Sequence, residues 1–230
     1  MADRPILFSA PMVCALLAGR KTQTRRLFKP RGFEFYTHPV SGCRYDEYHP
    51  YRDGTWDKSR IVGSGSMQAF AWGEGLYAYL PYGPGDRLWV KETHTCVGDA
   101  DRWTLYRASG YEAECDRHGF DKPYPPESEI KWNPSIFMRR ALSRLTLTVT
   151  DVRVERLQDC SEADAWAEGL TRHPETEAAY VDLGELVLSA DDPQSCYHLL
   201  WNHINGAGAW EANPWVVAVS FDVRKGNIDG

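Results

Sequence analysis

Apolar side chains along this chain follow two periods, and the switches between them mark the elements. Ile6-Leu7-Phe8 is a short apolar run that predicts a strand, and Ser9 followed by Pro11 is a helix start signal. Met12, Val13, Leu16 and Leu17 recur at helical spacing and share one face, and Gly19 supplies a left-handed stop. A strand over 22–28 follows. From 29 to 85 the periodicity fails among Gly, Pro, Tyr and Trp, which predicts a long insertion carrying a hairpin or two, because structureless loops of that length are uncommon.

Gly83-Pro84-Gly85-Asp86 is a turn signal, and residues 87–93 alternate like a half-buried strand, with Leu88 and Val90, or the opposite phase with Trp89, facing inward. Residues 98–134 read as irregular apart from a strand at Trp103-Thr104-Leu105-Tyr106. The longest β signal covers 143–157. There Leu145, Leu147 and Val149 share one phase and Val152 and Val154 the other, so a bulge near Thr150-Asp151 is needed to bury both sets, and sheets bent this way often close into barrels. Ser161-Glu162-Ala163-Asp164 opens a short helix carrying Ala165, Trp166, Glu168 and Leu170 with a capping-box-like start. The largely polar, acidic stretch 171–184 reads as another insertion. Asp192-Pro193 opens a helix with an apolar stripe of Tyr197, Leu200, Trp201 and Ile204, stopped by Gly206, and 215–223 is a buried strand. Together these give a mixed α+β fold of five or six principal strands and two or three helices, not the alternating βα order of a doubly wound nucleotide fold.

Composition narrows the function classes. The chain has 230 residues, 43% hydrophobic, so it buries a core and is not a disordered chain. A net charge of -6 argues against a general coat for nucleic acid. No apolar run is long enough for a membrane span, and Met1-Ala2-Asp3-Arg4-Pro5 lacks the apolar stretch of a secretory signal, so a cytoplasmic location without membrane contact is expected. The 6 Cys show no paired C-x-x-C spacing, and His198 and His203 are one residue off the spacing that puts two imidazoles on one helix face, so no metal or cofactor is expected. Aromatic residues make up 13% of the chain, and many fall between Gly32 and Tyr124.

One stretch departs from the acidic average. Residues 20–31 hold six basic side chains and no acid. They suit one phosphate or a short nucleic-acid segment, or else an edge strand guarded by charge. Within it, Lys21 and Thr24 permit a nucleophile reading. A threonine hydroxyl needs a base beside it, and a lysine serves only where burial or the neighbouring Arg20, Arg25 and Arg26 lower its pKa. In an ideal strand residues three apart point to opposite faces, so Lys21 has to sit in the turn after Gly19. Glu168, between apolar Trp166 and Leu170, is a candidate general acid, and Glu92, after strand 87–91, is a further carboxylate at the rim of a barrel. Each also reads as an ordinary surface charge.

Ala18-Gly19-Arg20-Lys21-Thr22-Gln23-Thr24-Arg25 after an amphipathic helix, Pro84-Gly85-Asp86-Arg87-Leu88-Trp89-Val90-Lys91-Glu92, Arg153-Val154-Glu155-Arg156-Leu157 before Ser161-Glu162-Ala163-Asp164-Ala165, and Asn213-Pro214-Trp215-Val216 together resemble the ASCH domain, in the larger form found in phages and prophages. The resemblance implies one domain over 1–230 with a PUA-like fold, a small β-barrel flanked by helices, interrupted by insertions near 31–83, 98–130 and 171–188. It also implies an amidohydrolase that removes the acyl group from N4-acetylcytidine or related N4-acylated cytosines. In that reading Thr24 is the nucleophile, Lys21 the base and Glu168 the acid, no metal or cofactor takes part, and Arg20, Arg25, Arg26, Trp89 and Glu92 are candidate substrate-binding residues. The partner is then a small nucleoside or nucleobase. Two other expectations stand beside it: a non-catalytic reader of RNA or a modified base that stacks short RNA on its aromatics, and a ribonuclease, although no histidine pair suited to RNA cleavage is evident.

Overall fold

A computed structural model describes residues 2–28, 82–98 and 103–230, together with the backbone of three short strands between 61 and 79. The other residues of the 31–83 insertion lie outside the described set, as do Lys29 and Arg31 of the basic stretch. In chain order the elements are β1 (Asp3–Leu7), α1 (Ala10–Leu17), β2 (Gln23–Leu27), β3 (Ile61–Val62), β4 (Ala69–Trp72), β5 (Leu76–Tyr79), β6 (Arg87–Lys91), β7 (His94–Val97), β8 (Trp103–Tyr106) and α2 (Tyr111–His118). They continue with β9 (Leu145–Arg156), α3 (Glu162–Ala167), β10 (Thr171–Arg172), β11 (Ala179–Asp182), β12 (Val187–Ala190), α4 (Pro193–Asn205) and β13 (Trp215–Lys225). The class is α+β, as the alternation of periods predicts.

The body is a five-stranded sheet in the order β1-β6-β9-β13-β2, parallel between β1 and β6 and antiparallel elsewhere. Its length comes from β9 and β13, whose pairing skips a residue: Ser220 faces Asp151 and Phe221 faces Val149. Thr150 is thus the bulged residue, and the extra position lets Leu145, Leu147 and Val149 on one side of it and Val152 and Val154 on the other all reach the interior. Leu88 and Val90 are the inward pair of β6, and they join Ile6, Phe8, Val13, Leu16, Val217, Val219 and Phe221 in the main core. Among the described residues no ladder joins the two edge strands. Arg26 of β2 instead donates through Nη2 to the carbonyl of Leu7 on β1 at 2.7 Å.

Two expectations change on contact with the fold, and a third region gains detail. The region 98–134 is not irregular: β7 and β8 form a hairpin, α2 follows, and Leu105, Tyr111 and Cys115 make a small core of their own. The stretch 171–184, read as an insertion, enters a three-stranded meander, β10-β11-β12, whose segment packs Ala179, Val181, Leu183 and Leu188 on α4. Ile204 leaves the apolar stripe of α4. Tyr197, Leu200 and Trp201 are buried while Ile204 is half exposed at the helix end.

Candidate active site

The helix α1 ends at Leu17, and Gly19 at φ 72° turns the chain so that the amides of Arg20 and Lys21 both donate to the carbonyl of Ala15. This return drives Lys21 into the interior instead of letting it run out to solvent. Lys21 forms an isolated antiparallel bridge with Glu168, and the amide of Thr22 donates to Ala167, so the approach to β2 is docked on the end of α3. The α3 start is fixed by a reciprocal cap, Ser161 accepting from the Asp164 amide while Asp164 accepts from the Ser161 amide. Gly169 closes the turn. At φ 102°, a Cβ there would lie 2.9 Å from Cβ of Ala15 and 3.0 Å from Cβ of Lys21, so only glycine lets the three backbones meet.

These constraints create a buried ion cluster. Lys21 is fully buried, and its Nζ donates to Glu168 Oε2 at 2.7 Å and to the Glu168 carbonyl at 2.8 Å. Arg25 Nη1 donates to the other carboxylate oxygen, Oε1, at 3.3 Å, so each oxygen of Glu168 faces its own cation. Arg25 itself is held by Glu155 (2.8 and 3.1 Å), Asp164 (3.3 Å) and the Gln23 side-chain oxygen (2.6 Å). Burial pushes the Lys21 ammonium below its ordinary value, against the opposing pull of Glu168. Burial, then the charge of Glu168, holds the Tyr197 hydroxyl well above the usual tyrosine range, so that phenol stays neutral. Ser161 and Arg153, with Gln23 beside them, outweigh burial at Asp164 and keep its carboxyl well below the usual range.

Thr24 points to the opposite side of β2 from Gln23 and Arg25, as alternation requires. It is buried, and among the described residues its hydroxyl has no hydrogen-bond partner. With Glu168 and Arg26 it lines a pocket of about 240 Å³ whose far wall is Tyr197, Leu200 and Asn205 of α4. A second pocket of about 270 Å³ adjoins it, sharing Met12, Glu168, Leu200 and Ile204. Lys21 and Arg26 both approach the Phe8 ring, at 5.7 and 5.4 Å from its centroid.

The basic stretch differs from a solvated patch. Arg25 is buried against three acidic side chains, Arg26 spans to β1, and Arg20, though exposed, donates to the Gly169 carbonyl at 2.8 Å and to Thr171 Oγ1 at 2.5 Å. Arg20 thereby braces the turn that carries Glu168. Trp89 and Glu92 are not among the residues lining either pocket. Trp89 lies under Lys91 on the outer phase of β6, and Glu92 is buried in a separate cluster, gripped by Arg144 through two 2.8 Å bonds, with Glu114 and the Tyr106 ring beside that guanidinium. Glu155, Tyr197 and Asn205 are site residues that periodicity alone assigns to strand or helix surface and core. Among the described residues no group of His, Cys, Asp and Glu is arranged to hold a metal, and no helix is long and apolar enough to cross a membrane. Comparison of the chain with protein-family models, curated proteins and solved structures gave no match.

Proposed function

We propose that this protein is an ASCH-type amidohydrolase that removes the acyl group from N4-acetylcytidine or a related N4-acylated cytosine. The observation that supports the reading is that Glu168 joins the other two residues: Lys21 and Glu168 lie 147 residues apart yet meet in one buried bond, and Thr24 and Glu168 line one pocket. A lysine whose proton is loosened by burial and a threonine whose hydroxyl is not used by the fold, three positions apart in the chain, are the groups a hydroxyl nucleophile needs. In the forward step the Thr24 Oγ1–H proton passes to neutral Lys21 as Oγ1 bonds to the acyl carbon. The C–N4 bond then breaks as Glu168, in its protonated form, gives a proton to the departing amine. Water hydrolyses the acyl-threonine, releasing the carboxylic acid and restoring the hydroxyl.

The forward step starts from the Lys21–Glu168 pair with one proton moved along their 2.7 Å bond. The same reading takes the five-stranded sheet as the body of a small PUA-like barrel, with the Arg26 to Leu7 link as its seam. The inward ties of Arg20, Arg25 and Arg26 favour a small substrate over a long nucleic-acid strand, whose binding depends on free cations. The test is cytidine formation from N4-acetylcytidine, followed by chromatography. Release by the native protein and its loss in Lys21→Ala, Thr24→Ala and Glu168→Ala is expected. A native protein that releases nothing, yet binds short RNA in a salt-sensitive way, would overturn the reading in favour of a non-catalytic reader.

A further inference from the structure

The two adjoining pockets differ in the residues they do not share, and Glu168 lines both. On the Thr24 side the lining includes Arg26, Tyr197 and Asn205, groups able to meet a polar, flat nucleobase. On the other side Pro11, Ala15, Val181 and Leu183 supply an aliphatic wall, completed by the shared Met12 and Leu200, with Ser9 and His203 at its polar edge. Val181 ends up there because β11 belongs to the meander packed on α4, and Leu183 because it directly follows that strand. One part of the lobe's apolar wall is therefore supplied by the 171–190 segment folding as a small sheet.

We propose that the lobe bounded by Val181 and Leu183 receives the acyl tail of the substrate, so that the preferred ligands are N4-acylcytosines with an unbranched or aromatic apolar tail of about four to eight carbons rather than acetyl. This rests on the amidohydrolase reading above. An amide whose carbonyl lies between Thr24 and Glu168 has its base on one side and its acyl substituent on the other, and Thr24 lines only the first pocket while Glu168 lines both. Its volume of about 270 Å³ is many times that of an acetyl methyl, which is comparable to the ~30 Å³ that one water takes in the liquid. Each methylene moved from water into such a lining raises affinity about fourfold until the lobe is full.

The experiment compares the acetyl, butanoyl, hexanoyl and benzoyl amides of cytidine in two measurements: turnover by the native protein, and calorimetric binding to Thr24→Ala, which needs no catalysis. Binding and kcat/KM are both expected to rise about fourfold per added methylene from acetyl to hexanoyl. Leu183→Trp, which fills the lobe, should bring the hexanoyl to acetyl ratio down toward one. Affinity that is flat or falling with tail length overturns the lobe assignment, and if the acetyl amide is still turned over, the amidohydrolase reading survives it. Rising affinity without turnover of any member supports the lobe and overturns the amidohydrolase reading. Absence of binding by every member overturns both.

Discussion

Replacing Lys21 by Met should abolish a rise of stability with alkaline pH that the native chain possesses. Lys21 is fully buried, and loss of hydration lowers its pKa from the ordinary 10.5, with Glu168 pulling in the other direction. The unfolded chain therefore holds the Lys21 proton more tightly than the folded chain does. Below the lowered value both states are protonated and the fold carries the full cost of a buried ammonium. Above 10.5 both are neutral and that cost has gone, so native stability increases as pH rises through the window between them. One proton sets the ceiling on the slope at about 1.4 kcal/mol per pH unit. Methionine has a similar length and no charge, and in the variant Glu168 keeps Arg25 at 3.3 Å, so the local structure should hold. Urea midpoints measured for both proteins from about pH 7 to about pH 10 at one ionic strength give the comparison, because every other titrating group cancels in the difference. The stability difference should move toward the native protein as pH rises. Parallel curves would mean that Lys21 binds its proton as an exposed lysine does, and a lysine in that state is no base for Thr24.

Other expectations follow from single contacts. Thr24→Val should cost less than about 0.5 kcal/mol in urea unfolding, because the fold makes no use of the hydroxyl, whereas Thr146→Val should cost about 1 kcal/mol by removing the 3.0 Å bond from Oγ1 to the Gly226 carbonyl. Equal costs would mean that the Thr24 hydroxyl is engaged by the fold after all. Gly169→Ala should destabilise by about 1–3 kcal/mol, since φ is 102° and the new Cβ would meet Ala15 and Lys21 at 2.9 and 3.0 Å, and a neutral result would show that the turn can relax. Arg144→Met leaves Glu92 buried without its guanidinium and should cost about 3–5 kcal/mol near neutral pH. A cost below about 1 kcal/mol in urea unfolding would refute the charge argument.

The sequence made most of the sheet legible where one side chain period dominates. The phase change between Val149 and Val152 located the bulge at Thr150, and the Ser161 to Asp164 spacing located the cap of α3. Elements failed to announce themselves where they are short and half covered. The meander β10-β11-β12 has strands of two and four residues, too few for alternation to stand out from an acidic background. Helix α2 carries Glu112, Asp116 and Arg117 around a narrow buried face of Tyr111, Glu114 and Cys115, one of whose members is itself an acid, so its period is masked by charge. The candidate site was legible as residue types but not as geometry. Nothing local tells that Arg25 turns inward, because what draws it there is Glu155, Asp164 and Glu168, each more than 100 positions away in the chain.

The sheet order has a bearing on how the molecule comes to be made. Among the described residues strand β2, which carries Thr24 and Arg25, has its backbone ladder with β13 alone, and β13 must itself settle against β9. On a ribosome the first 27 residues emerge early, but their neighbour in the sheet spans Trp215–Lys225 and emerges nearly two hundred residues later. Through that interval the basic strand has no sheet partner, and its lysine and arginines remain hydrated. Contacts of such sequence separation form slowly, because the intervening chain must first be ordered. The buried ion cluster is thus assembled late, when β13 slots between β9 and β2, and because Val217, Val219 and Phe221 of β13 also belong to the main core, a nascent chain arrested before residue 215 is expected to complete neither that core nor the cluster.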